Sequence, residues 1–155
     1  MAQLVGYPSA TVGDTTAVHD SALNRLGTRA FDANGNEYIY LQGIGSTIVG
    51  SWVVFPMSTF VSALTTATSR GPVAVAQAAV VANKFGWYQI YGLATGSVAT
   101  GAAGANAWTT ATPGRVDNTD VTLQLVQNAY QVGATASNLA TFALAYPFCQ
   151  LEVIN

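Results

Sequence analysis

The stretch FDANGNEYIYLQG, Phe31 to Gly43, admits two readings that lead to different proteins. Acidic and amide side chains crowd a glycine, as in a calcium loop, while the flanks alternate as the two strands of a hairpin would. An EF-hand loop needs oxygen ligands at alternate positions, a glycine at the sixth and a bidentate glutamate at the twelfth. Counted from Asp32, Asn34 stands third, but the glycine already falls fourth and the twelfth residue is Gly43. The ligand frame fails. Asn34-Gly35 between alternating runs is instead a strong hairpin signal, because both residues tolerate the positive φ of a tight turn. Asp32 and Asn36 are expected to brace that turn through local hydrogen bonds.

The two-residue period extends outward from this turn. Thr28, Ala30 and Asp32 alternate with Arg29 and Phe31, and Tyr38, Tyr40 and Gln42 alternate with Glu37, Ile39 and Leu41. Such β-branched and aromatic residues suit a pleated, half-buried surface. VGSWVVF (49–55) is a further strand, which Pro56 ends because proline cannot donate to a central ladder. VAVA (73–76) follows Gly71-Pro72 as another. GWYQIYG (86–92) is the clearest strand, with Trp87, Gln89 and Tyr91 on one face and Tyr88 and Ile90 on the other. Ala94 to Thr112 reads as a long loop or several short strands, and Val121 to Val126 and Leu139 to Phe148 as the last strands. AAVVANK (78–84) is open between a helical turn and an extended run. Residues 1–25 read as an extended N-terminal arm, with a short helix possible over Thr15 to Leu26, where Val18, Ala22 and Leu26 fall four apart. The expectation is therefore an all-β protein: a single antiparallel β-barrel or sandwich domain over residues 26–155, preceded by the arm.

Composition narrows the function classes. The 155 residues fit one domain able to bury a core without disulfides or metals. Half the residues are hydrophobic and only 8% are charged, against roughly 25% charged in an ordinary soluble domain. Small neutral residues must cover the surface instead, and these pack closely against a partner at little entropic cost. Arg25, Arg29, Arg70, Lys84 and Arg115 form no run. Nucleic-acid binding, which rests on clustered cations, is not expected. The N-terminus lacks the basic region and apolar core of a signal peptide. The charge-free stretches are broken too often by small polar residues to supply the roughly 20 apolar residues of a spanning helix, so no membrane contact is expected. Cys149 is single and reads as a small buried hydrophobe.

Catalytic chemistry finds little material. His19 is the only histidine, and beside Asp20 in a polar arm it reads as a solvent-exposed residue, since a triad is defined by geometry and not by adjacency. Asp117 and Asp120 in GRVDNTD read as turn residues that bond their own backbone. GAAGAN (101–106) lacks the Lys-Ser/Thr and the strand-to-helix setting of a phosphate loop. No catalytic residue, cofactor or metal is assigned. Trp52 and Trp87 lie in alternating apolar runs and belong to the core. Trp108, alone in a small-residue segment, is a loop plug or an interface anchor. With Tyr7 and Pro8 in the arm it forms the set of candidate interface residues.

The ordered set LGTRAFDANGNEYIYLQG (26–43), GSWVVF, GPVAVAQ, KFGWYQIYG and a late AYPF (145–148) resembles a family of small structural proteins of tailed bacteriophages. The resemblance implies a non-enzymatic decoration or cement protein, or a head-fibre base, that sits on the capsid surface of the virion after synthesis in the host cytoplasm. Its partners would be the major capsid protein and its own copies, as a homotrimer. The alternative is a carbohydrate- or receptor-binding module on the virion surface that uses Trp108 and exposed tyrosines.

Overall fold

A computed structural model describes residues 14–120 and 124–150. Tyr7 and Pro8 lie outside the described residues. In the opening stretch the carboxylate of Asp32 organises the turn. Its Oδ1 accepts the backbone N–H groups of Asn34 (2.8 Å) and Asn36 (2.9 Å), and its Oδ2 accepts from the Asn36 amide (2.7 Å) and the Tyr38 hydroxyl (3.0 Å). Gly35 takes the left-handed conformation at φ 81°, whereas Asn34, expected to share it, does not. One glycine suffices because Gly35 N–H bonds the Asp32 carbonyl, closing a four-residue turn, and Asp32 N–H bonds the Asn36 carbonyl to return the chain to the ladder.

That turn joins β2 (Arg29–Phe31) to β3 (Glu37–Gln42), and β3 pairs with β7 (Phe85–Ser97), the longest strand. The remaining strands are β1 (Val18–His19), β4 (Trp52–Val54), β5 (Ala63–Leu64), β6 (Gly71–Ala76), β8 (Asn106–Thr109), β9 (Val116–Asp117), β10 (Leu125–Gln131) and β11 (Leu139–Cys149). All pairings between these strands are antiparallel, and they form one sheet in the order β2-β3-β7-β6-β11-β10-β8-β9, which does not close on itself. β4 adds to β6, and β5 to β4. No helix occurs among the described residues. The protein is all-β, as its periodicity implies.

β6 explains how the core is laid out. Its four residues from Val73 to Ala76 are all buried, although a one-faced strand would alternate. Val73 and Val75 enter a cluster with Trp52, Phe142, Leu144 and Val126, while Ala74 and Ala76 enter a second with Val53, Leu41, Tyr88 and Ile90. The β4–β6 ribbon is thus apolar on both faces because both are covered. Trp52 anchors the first cluster: it is fully buried, meets the Phe142 ring edge-on at 4.9 Å and donates its indole N–H to the Ser97 carbonyl at 3.1 Å. A third cluster joins Ala30, Tyr38, Tyr40 and Trp87.

Several expectations are corrected. Thr15 to Leu26 is not helical: β1 pairs with Phe85 and Gly86, and turns follow. A four-residue spacing over so few residues does not repay helix nucleation. AAVVANK is an irregular, non-helical segment. β7 runs past Gly92 to Ser97, and β8 takes up Asn106–Thr109, so the segment read as a loop or short strands contains both. The tenth strand spans Leu125–Gln131 and so runs past Val126, while residues 121–123 of the expected strand lie outside the described residues. Pro147 lies inside β11 beside a corner, where Tyr146 has φ 56° and the pairing with β10 shifts.

Candidate interaction surfaces

The corner of β11 builds a polar cluster around Glu37, which is 1% exposed. The Tyr146 hydroxyl donates to its Oε2 at 2.6 Å, and Arg29 Nη1 lies 3.3 Å from its Oε1. Oε1 receives no aligned hydrogen bond among the described residues. Burying a carboxylate costs several kcal/mol, and among the described residues the ion pair and the tyrosine offset it. The contact with Glu37 also holds the Tyr146 hydroxyl above the usual tyrosine range, its largest cause being that hydrogen bond. Tyr146 is covered on one side by the Arg29 guanidinium, 5.6 Å from its ring centre, and packs against Tyr91 at 5.4 Å. Arg29, Tyr146 and Tyr91 therefore form a stack pinned to a buried acid.

Beside this stack runs an open trough of about 520 Å³. Its geometry follows from strand register. Ala143 and Ala145 of β11 lie opposite Leu93 and Tyr91 of β7, and Ala143 also lies opposite Tyr130 of β10. Small residues on the central strand make a floor; large ones on the neighbouring strands make walls. Tyr91, Leu93 and Tyr130 are 42%, 61% and 49% exposed. Asn128 also lines the trough, in the left-handed conformation, φ 59°, where β10 bulges against β11. None of the residues lining it is charged.

A second apolar surface is the loop 44–49. Ile48 and Val49 are 59% and 52% exposed, and Ile44 is partly so, while Thr47 between them is buried. Hydrogen bonds hold the loop in this shape. Thr47 Oγ1 donates to the Ile44 carbonyl (2.7 Å), Ile48 N–H to Ser51 Oγ (3.0 Å) and Ser51 N–H to the Ile48 carbonyl (3.1 Å). Aliphatic side chains on a braced loop have already lost the backbone entropy that docking would cost.

The residues singled out in the sequence are scattered over the molecule. His19 is half-buried and not solvent-exposed: its Nδ1 is 2.7 Å from the Tyr40 hydroxyl, which also accepts the Leu23 N–H. Residues 14–25, read as arm, are thereby laid against β3 and β7, and Asp20 pairs with Lys84 at 2.7 Å. Asp20 carries no hydrogen bond to His19, so the two do not make a triad. Asp117 ends β9 and is not in a turn, although its carboxylate accepts the Thr119 N–H, a local backbone bond of the kind read from the sequence. Trp108 is not in a loop but on β8, half-buried, opposite Leu125 and Asp117. Cys149 is buried, and desolvation pushes its thiol up to about 12. No group of three or more His, Cys, Asp or Glu able to hold a metal occurs among the described residues. The sequence by itself singles out neither the trough nor the loop; for the trough its one signal is the pair Ala143 and Ala145, two apart among larger neighbours. No family model, curated protein or solved structure matches the chain.

Proposed function

We propose that this chain is a non-enzymatic virion structural protein that binds the outer surface of the assembled capsid and stabilises it, as decoration proteins do. The observation that carries the reading is the braced loop 44–49, which presents Ile48 and Val49 to solvent with no charge beside them. Exposed aliphatic side chains on a rigid support suit a protein surface, where they become buried and water is released. The resemblance of residues 26–93 and 145–148 to phage structural proteins points the same way, and so does the low charge. The partners are the major capsid protein and sister copies in a homotrimer, because symmetry lets several modest contacts act together.

Ile48→Asp with Val49→Asp tests the reading. Each apolar anchor at the centre of an interface contributes about 2 kcal/mol, roughly thirtyfold in affinity. The wild-type protein is expected to sediment with empty capsids, and the double variant, folded to the same melting temperature, to stay in the supernatant. A variant that sediments like the wild type would remove the loop from the interface.

A further inference from the structure

We propose that the trough formed by β7, β11 and β10 is a binding site for a neutral carbohydrate. The first support is the chemistry of the walls. A sugar ring offers an apolar face of C–H groups and an edge of uncharged hydroxyls. Tyr91 and Tyr130 offer aromatic faces with hydroxyl tips, and Asn128 offers an amide that both donates and accepts. Among the described residues none of these three polar groups is engaged in a hydrogen bond, so they are free to receive a ligand's hydroxyls.

Charge and size narrow the ligand further. No cation lines the trough, and Arg29 nearby is already committed to Glu37, so a sialylated or sulfated glycan would meet no counter-charge. The volume of about 520 Å³ lies within the roughly 300–1,000 Å³ of small-molecule sites. It is open to solvent, which suits a short oligosaccharide lying over the alanine floor.

The third support is the anchoring of Tyr91. Its ring is set by Tyr146, which Glu37 fixes from below and Arg29 covers. An exposed ring held in place loses little entropy on binding. A buried carboxylate is a costly way to fix a surface residue, and a recognition platform gives that cost a use. Trp108, the sequence's candidate for sugar contact, does not line this trough. The site is independent of the capsid-binding loop.

The experiment is an array of immobilised neutral gluco-, galacto- and manno-oligosaccharides beside sialylated and sulfated ones, with a proline-rich peptide as the protein-ligand control. The array is followed by calorimetric titration of any bound sugar. Binding of at least one neutral oligosaccharide is expected, weakened about tenfold by Tyr130→Ala and by Tyr91→Ala. Both variants should melt like the wild type, and Ile48→Asp should bind the sugar undiminished. Tyr146→Phe should weaken binding by releasing Tyr91, although Tyr146 does not line the floor. The proposal is overturned by binding of the charged glycans alone, of the peptide alone or of nothing. Sugar binding that survives both tyrosine substitutions also overturns it. Failure here leaves capsid binding through the loop unaffected, and the reverse is equally true.

Discussion

At the scale of single residues, Asp32 carries the turn from which the fold was read. Desolvation, the largest single influence, pushes its carboxyl up, but hydrogen bonds from Asn36, Tyr38 and Asn34 outweigh it and leave the group below its ordinary value. A depressed carboxyl contributes stability above its unfolded pKa, and that contribution is lost as pH falls through the folded value. Asp32→Asn is therefore expected to destabilise the protein at neutral pH and to lose less stability than the wild type on acidification, as measured by urea unfolding at pH 7 and pH 3. Cys149 gives a second residue-scale prediction. Its raised thiol pKa and burial leave almost no thiolate at neutral pH, so maleimide or iodoacetamide should label it only when urea unfolds the chain. Labelling of the native protein at the rate of a free thiol would contradict the burial. The buried polar residues were the least legible from sequence. Gln89 Nε2 donates to the carbonyls of Tyr91 and Leu93, and Gln131 Nε2 to the Gly133 carbonyl and the Thr135 hydroxyl, so both NH2 groups find acceptors two to four residues away. Alternation alone cannot show that a glutamine faces inward with its partners already supplied by the strand's own bulge.

At the scale of elements, the strands read best where an unbroken run of strand-forming residues lies beside clear turn signals. The β2–β3 hairpin, β6 and the first half of β7 were of that kind. From sequence β7 ends at Gly92, because a glycine after an aromatic run resembles a strand end. In the fold Gly92 has φ 92° and lies against Asn36, whose Oδ1 accepts the Leu93 N–H at 3.2 Å. The hairpin tip is thus tied to a kink in the strand it lies beside, and the strand continues beyond. Gly92→Ala would require a disfavoured backbone conformation and drive a methyl group into Asn36. It should lower stability by at least about 1 kcal/mol, seen as a lower denaturant midpoint with an unchanged slope. From sequence β10 stops at Val126, whereas in the fold it continues to Gln131 through Gln127 and the bulged Asn128, which resemble loop residues. Trp52→Ala should be the most damaging single change in the β4–β6 ribbon, at about 3–5 kcal/mol, since it empties the centre of the largest core cluster.

At the scale of the whole molecule, an open antiparallel sheet with little charge leaves apolar surfaces uncovered among the described residues, the trough and the loop 44–49 among them. Composition announced that the surface would be neutral, but not where its hydrophobic residues would gather. Long-range pairing decides that: Ala143 is unremarkable until β11 lies between Leu93 and Tyr130, and Ile48 is an ordinary aliphatic residue until Thr47 turns inward beside it. On the readings proposed above, the loop 44–49 meets the capsid and the trough a neutral carbohydrate, so the two surfaces serve different partners. The most direct test of the capsid-binding reading is light scattering after size exclusion, on the protein alone and then mixed with empty capsids. An oligomer that adds a fixed, saturable mass to the shell, and raises the temperature at which the shell disassembles, is the predicted result. A monomer that leaves the mass and the disassembly temperature of the shell unchanged would contradict it.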